Sequence, residues 1–310
     1  MSAEPETTEG DTEAVAGRTR PSGIGGFGAP KALRSIGIGF AVLFWGWMVL
    51  RWLTNWGLNP LVEPSQPFVS PSAFAGISPQ LALAVEYLPA FASGAYFTLI
   101  LTIVSILLGL VLAIPLSVAR VYGHYSSYLS LSFTELLRGT PLVAQLFVLY
   151  YGFNLSQYFR GVGGGFVPNE ALWVALIGFT INSAAYQAEY IRTALQSVDP
   201  NQLVAARSIG LDQLNGIRYV VLPQGLRYAI PGWSNELVYL IKYSSLATFI
   251  AVPELFNMAE DIANTNYKYT LVFGLVALVY LAIVLSATQA MEAFEEYVRI
   301  PGLGQTDTGR

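Results

Sequence analysis

R-T-A-L-Q-S-V-D-P-N-Q-L-V-A-A-R-S-I-G-L-D-Q-L-N-G-I-R-Y-V-V-L-P-Q-G-L-R, Arg192 to Arg227, is the only long polar run between apolar stretches of this chain. It carries four arginines: Arg192, Arg207, Arg218 and Arg227. Within it Val204 precedes two small residues, Ala205 and Ala206; Gly210 follows four residues later, and Leu222-Pro223 closes the run. Small side chains let helices approach backbone to backbone, and a glycine ends a helix where a side chain would block the turn. Proline lacks a backbone donor and is expected to force a new direction before the next apolar stretch. On this reading Ala205 and Ala206 form a flat helix face, and Arg207 and Arg218 are available to acidic residues of a partner.

Around this run the composition is that of a membrane protein. Of the 310 residues 54% are hydrophobic and 12% charged, with a mean hydropathy of +0.49. Soluble domains carry about 25% charge. Residues 93–119, 171–188 and 269–291 contain no Asp, Glu, Lys, Arg or His, and about 20 apolar residues suffice to cross a bilayer as a helix. Three further spans are expected at 35–53, 127–153 and 229–253, the last two interrupted by charge, which makes six. No cysteine is present and His124 is the only histidine, so disulfides, thiolate chemistry and paired-histidine metal sites are excluded. No metal site and no catalytic residue are expected.

Lys and Arg concentrate on the cytoplasmic side of membrane proteins. With six spans and both termini inside, the inner segments hold eleven: Arg18, Arg20, Lys31, Arg34, Arg120, Arg192, Arg207, Arg218, Arg227, Arg299 and Arg310. The outer segments hold two, Arg160 and Lys268. The 192–227 run is therefore placed in the cytoplasm. Residues 1–34 read as a disordered cytoplasmic tail, 35–53 as an additional N-terminal helix, and 54–90 as an extracytoplasmic connector with an amphipathic helix from Pro79 to Tyr87. Residues 91–298 read as the membrane core and 299–310 as a cytoplasmic tail.

Polar residues inside the spans form a second set of candidates. Asn235, Tyr239 and Lys242 recur at i, i+4, i+7 and share one helix face, as do Asn182, Tyr186 and Glu189. Charge at mid-bilayer costs at least about 2.5–3.5 kcal/mol on insertion scales, so such groups face a partner or a cavity. Two readings stand: ion pairs across helices, Glu189 or Glu236 with Lys242, or the lining of a water-filled route for a zwitterionic solute. In Glu135-Leu136-Leu137-Arg138-Gly139-Thr140-Pro141-Leu142, Pro141 frees a carbonyl near Leu137 and Glu135 lies one turn from Arg138. That segment reads as structural. Small residues near Gly94, Gly109 and Ala113 suit helix packing in lipid.

The polar run resembles the cytoplasmic loop of ABC-importer permeases, the E-A-A-x-x-x-G segment ending in L-P. Val204 stands where that family has its glutamate and Val220 where it usually has isoleucine. The E-x-x-R-G-T-P-L segment with Gln145 resembles the polar amino-acid branch of those permeases, which contains the histidine and glutamine importers. So do Ser183-Ala184-Ala185-Tyr186 with Glu189 and Arg192, and Leu222-Pro223-Gln224, Pro231, Asn235, Lys242 and Ser244-Ser245-Leu246. The resemblance covers roughly residues 80–298. It implies an all-α membrane protein, a five-helix type I importer core plus the extra N-terminal helix, in the cytoplasmic membrane. It further implies a permease moving a polar amino acid by alternating access, with loop 192–227 docked on a separate ABC ATPase subunit that binds ATP and Mg. The other implied partners are a second permease copy or homologue and an extracytoplasmic solute-binding protein; no nucleic acid and no cofactor of its own are implied. The rival classes are an intramembrane enzyme using Glu260 and Asp261, and a channel or ion-coupled carrier gated by Lys242 and Glu189.

Overall fold

The computed structural model describes residues 31–56, 66–162 and 169–298. The expected tails, apart from residues 31–34, and the middle of the connector lie outside the described residues. Among the described residues the chain is helical, with turns and no strand. It divides into two units, residues 1–43 and 44–310. Of the first, residues 31–43 are described, as the beginning of helix α1 (Lys31–Asn55).

The second unit holds the remainder of α1, the one-turn α2 (Ser72–Ala75), α3 (Pro79–Tyr122), α4 (Tyr125–Arg138) and α5 (Leu142–Phe147). There follow α6 (Ala171–Ser197), α7 (Pro200–Ser208), α8 (Gln213–Gly216), α9 (Leu222–Tyr243), α10 (Leu255–Asn266) and α11 (Tyr269–Val298). The six expected spans fall on α1, α3, the α4–α5 pair, α6, α9 and α11. Two boundaries differ from the sequence reading. The helix expected at Pro79–Tyr87 is the first part of α3, which runs on through Pro89 for 44 residues, about 66 Å at 1.5 Å per residue. The span expected at 127–153 is two helices, because Pro141 takes extended geometry (ψ 135°) and cannot donate to the Leu137 carbonyl. A π turn, Val148–Gly152, prolongs α5.

Helix α6 is the post around which the unit is built. It packs on α3 through Leu101, Ile106, Val174, Ala175 and Phe179, all buried. Gly178 lets Leu146 of α5 approach so closely that an added Cβ would sit 2.6 Å from its Cδ2. At the other end of α6, Ile191, Leu195 and Val198 form a second cluster with Ala113, Val221 and Ala229. The turn from α3 into α4 is equally tight: a side chain at Gly123 would collide with Ser126 Oγ and the Ala119 carbonyl.

Charge inside the first span has a local explanation. Arg51 is 1% exposed, donates to the Gln66 carbonyl and lies 5.2 Å from the Phe68 ring centroid. The same helix is tied to α3 by Trp52 Nε1 donating to the Ala92 carbonyl at 2.7 Å and Asn55 Nδ2 donating to Ser93 Oγ at 2.7 Å.

After α9 the chain tightens into a 3-10 turn, Ser244–Ile250, which ends at Ala251 in left-handed geometry (φ 58°). Helix α10 follows, in a segment the sequence reading left as connection. Its N-cap is Glu254, wholly buried, whose carboxylate accepts from Phe256 N at 2.9 Å and Asn257 N at 2.8 Å. Tyr280 Oη of α11 donates to the same carboxylate at 2.8 Å, and Thr98 Oγ1 of α3 accepts from Leu255 N at 3.1 Å. One buried cap thus joins three helices, and Gly94 makes it possible: a Cβ there would meet Leu255 Cα at 2.7 Å. We predict that Gly94→Val pushes α10 off α3 and destabilises the fold by about 1–3 kcal/mol, as overpacking does. A lowered thermal midpoint of the detergent-purified chain checks it; an unchanged midpoint refutes the contact.

Candidate functional site

The polar run folds as a compact elbow. Asp199 caps α7 by accepting from Asn201 N at 2.9 Å, with Pro200 in the first turn, where its missing donor costs nothing. The helix ends in paired bonds, Leu211 N to the Ala206 carbonyl and Gly210 N to the Arg207 carbonyl, each 3.1 Å. Gly210 sits between them at φ +92° with open space where a side chain would be. This glycine-ended cap needs left-handed backbone, so conformation and not crowding demands the glycine. Asp212 then caps α8, accepting from Asn215 N at 3.1 Å.

Packing assigns the two alanines opposite roles. Ala206 is 3% exposed and faces Gly216, where a Cβ would lie 2.8 Å from Leu203 Cδ1 and 3.5 Å from Ala206 Cβ. Ala205 is exposed. The expected flat face of both residues is therefore split, because neighbours on a helix point about 100° apart. The outer side presents Val204 (62% exposed), Ile209 (80%) and Leu214 (67%) around Ala205 and Gly210, with Arg207 beside them.

Leu222 and Pro223 do not redirect the chain. From Gln213 the backbone stays helical through a π turn, Ile217–Val221, directly into α9. Pro223 is accommodated in the first turn of α9, and Gln224 Nε2 donates to the Val220 carbonyl at 2.8 Å. The last part of the elbow, from Gln213, and α9 are one continuous rod. Glycines seat that rod on α6: Cβ atoms at Gly225 and Gly232 would lie 2.6 Å from Leu195 Cδ2 and 2.9 Å from the Tyr190 ring.

The Glu135–Leu142 segment builds the joint between α4, α5 and α6. Gln145 Nε2 donates to the freed Leu137 carbonyl at 2.7 Å and to Thr140 Oγ1 at 2.9 Å, while Gln145 Oε1 accepts from Asn182 Nδ2 at 3.0 Å. Thr140 Oγ1 donates to the Leu136 carbonyl, and Gly139 N closes on the Glu135 carbonyl. Beside this joint Arg138 reaches Glu135 at 3.5 Å and Glu189 at 3.8 Å and lies 5.6 Å from the Tyr186 ring centroid. Glu189 is held more tightly by Arg192, at 2.6 Å.

The two polar faces are thus different in kind. Asn182 and Glu189 spend their polar groups on Gln145 and Arg192, and the Tyr186 ring lies beneath Arg138. Asn235, Tyr239 and Lys242 stand exposed on α9, the Lys242 ammonium 5.8 Å from the Tyr239 ring centroid and Tyr239 stacked on Tyr243. Among the described residues Lys242 makes no ion pair, so the expected pairing with Glu189 or Glu236 is not formed. Lys242 instead borders a cleft of about 520 Å³ with Ser245, Phe256, Phe273 and Tyr280. Sequence reasoning missed Glu254, Tyr280 and Gln145's bridging role; Glu254 followed by a helical pattern was the available signal for a capped helix. Among the described residues no group of three or more His, Cys, Asp or Glu could hold a metal, and Glu260 is engaged by Thr248 Oγ1 at 3.2 Å.

The chain is a member of the family described as the inner membrane component of binding-protein-dependent transport systems, whose model matches residues 105–300. It is 40% identical over 205 residues, 65% of this chain and 85% of the other, to the probable amino-acid ABC transporter permease protein YckA of Bacillus subtilis (strain 168). It is 34% identical over 194 residues, 62% and 81%, to the histidine/lysine/arginine/ornithine transport system permease protein HisM of Escherichia coli (strain K12). A solved amino acid ABC transporter with histidines aligns at 31% identity with a TM-score of 0.59, covering 69% of this chain and 96% of that one. The inward-facing MetNI methionine ABC transporter, 19% identical with a TM-score of 0.56 over 68% of this chain and 96% of that one, shares the fold. The protein is a transport subunit, and its relatives are permeases and not enzymes.

The joint makes a specific prediction. Gln145→Leu leaves the Leu137 carbonyl and the Asn182 amide unpartnered and costs about 1–3 kcal/mol, the penalty of orphaned buried groups. Asn182→Leu on top of it costs less than the two separately, since they share one bond. Additive losses in thermal unfolding would refute the shared bond.

Proposed function

We propose that this chain is the permease of an ATP-driven importer for a polar amino acid, and that the 192–227 elbow faces the cytoplasm and seats on an ABC ATPase subunit. The observation that carries this reading is the exposed apolar tip of Val204, Ala205, Ile209 and Leu214 around Gly210, formed by α7 packed against the start of a rod continuous with α9. Leu222 and Pro223 keep that rod unbroken. The ATPase, not this chain, holds ATP and Mg. The inner segments' excess of Lys and Arg supports the orientation, with both termini inside. A second copy or a homologue completes the path, and an extracytoplasmic solute-binding protein delivers the solute.

ATP acts by binding one arrangement of the complex better than the other, as any population shift requires. Motion of the seated elbow is carried by the rod into the face of Asn235, Tyr239 and Lys242, which borders the solute path. Lys242 offers a cation to the solute carboxylate. Glu135, Arg138, Gly139, Thr140 and Pro141, with Asn182, Tyr186 and Glu189, form the joint against which the rod moves. The relatives YckA and HisM, named for amino-acid transport, support the solute class. Residues 35–53 form a helix added to the core of 91–298.

In the reconstituted complex, Gly210→Asp leaves membrane insertion intact and lowers solute-stimulated ATP hydrolysis at least tenfold. Gly210→Asn, which tolerates left-handed backbone without a charge, retains most of it. Stimulation unchanged by Gly210→Asp would rule out the docking role. Lys242→Ala lowers uptake of labelled amino acids more than it lowers recovery of the assembled complex. A loss confined to assembly would assign Lys242 to structure.

A further inference from the structure

A second cavity, of about 240 Å³, opens between α3, α6, α9 and α11 beside the elbow. Its walls include Leu110, Ile191, Leu226, Ile230 and Phe294. Arg227 is the only charged residue that lines it; it is exposed and forms no ion pair among the described residues. Two lining residues also carry buried polar atoms without a hydrogen-bond partner among the described residues, Gln187 Oε1 and Trp233 Nε1. Gln187 is 1% exposed and its amide nitrogen is already committed, donating to the Ile106 carbonyl at 3.0 Å and to Ser183 Oγ at 2.9 Å.

We infer that this cavity binds a phospholipid of the inner leaflet, one acyl chain between the apolar walls and the phosphate on Arg227. Interiors pack to near-crystalline density, and a volume this large with mostly apolar walls suits a hydrocarbon chain. A free phosphate or a soluble anion would satisfy Arg227 but leave the apolar walls empty. A guanidinium at the cytoplasmic end of such a pocket is the complement of a phosphate. Trp233 Nε1, a donor without an acceptor, suits the oxygen-rich ester region that follows the phosphate. The inference rests on the proposed orientation, which sets Arg227 at the inner surface. The bound lipid would wedge the rod against α6 and α11 at the level of Tyr190 and Phe294, and so couple leaflet composition to movement of the elbow.

The assembled complex, purified in detergent and mixed with phosphatidylglycerol, is measured by native mass spectrometry for retained lipid. We expect phosphatidylglycerol adducts that inorganic phosphate at the same concentration does not displace. Arg227→Gln lowers their retention about fivefold, as loss of one surface cation does, and Arg227→Lys largely restores it. Ile230→Trp, which fills the cavity while leaving Arg227 in place, lowers it as well. Adducts unchanged in both Arg227→Gln and Ile230→Trp overturn the site; so does a disulfide between two copies through Ile230→Cys, which would show that a second copy covers the cavity. Adducts lost in Arg227→Gln but displaced by inorganic phosphate overturn the lipid as occupant. Gly210→Asp, which on the transport reading uncouples the complex, keeps its adducts, so failure of the transport reading and failure of the lipid site are separately visible.

Discussion

Every backbone donor and acceptor in a bilayer must find a partner within the protein, and the rest of this structure follows from how the chain meets that demand where its helices break. A continuous helix satisfies itself, as α11 does, while within α3 Pro89 and Pro115 each withhold one donor. The joints are different. At Gly139–Pro141 a carbonyl is released, and Gln145 reaches back to take it while accepting from Asn182 on α6. At Ala251 the 3-10 turn ends, and Asn169 Nδ2 donates to the Ala251 carbonyl at 2.7 Å. At Glu254 the orphan donors of α10 are collected by a buried carboxylate. Each repair is made by a side chain that also contacts a second helix. Interrupting a helix here creates a cross-link, and the cross-links hold the bundle in one arrangement.

Close approach is the second consequence. Lipid offers no hydrophobic drive between helices, so contact must come from packing, and small residues provide it. Gly94, Gly178, Gly225 and Gly232 each stand where a Cβ would fall within 3 Å of a neighbour. Gly210 is of another kind: nothing crowds it, and only its positive φ requires glycine. The same residue type thus marks two demands, contact in the bundle and a turn at the elbow.

This division explains what was legible in the sequence. The all-α class, the six apolar stretches and the elbow could be read directly, because each depends on composition or on local chemistry. Pro141 freeing the Leu137 carbonyl was also legible. That Gln145 would take it was not, since this depends on how α5 is returned across α4. The two alanines were read as one face because sequence spacing does not say which side of α7 meets Gly216. Pro223 was read as a corner because proline breaks a helix interior, whereas the π turn before it makes residue 223 part of a first turn. For Lys242 the sequence leaves two readings open, pairing with Glu189 or Glu236 or lining a solute route; the structure holds Glu189 on Arg192, one turn away on the same helix at 2.6 Å, with Arg138 at 3.8 Å.

The continuity of the rod bears on how force would be carried. Gln213 to Tyr243 is 31 residues, about 46 Å at 1.5 Å per residue, interrupted by one π turn and by Pro231, which cannot donate to the Arg227 carbonyl. A hinge at Pro223 would have absorbed any displacement of α7 before it reached the bundle. With no hinge there, α7 is fastened to the rod through Leu203, Ala206 and Gly216, and the rod to α6 through Gly225 and Gly232. On the proposed docking, displacement of the elbow is transmitted as tilt or rotation about the glycine contacts. The residues that move farthest lie beyond those contacts, at Tyr239, Lys242 and the 3-10 turn. That is the part of α9 whose polar groups remain uncommitted, whereas on α6 Asn182 is held by Gln145 and Glu189 by Arg192. On the proposed function, a moving face free to rebind, set against a face whose Asn182 and Glu189 are already held, suits alternating exposure of a small polar solute.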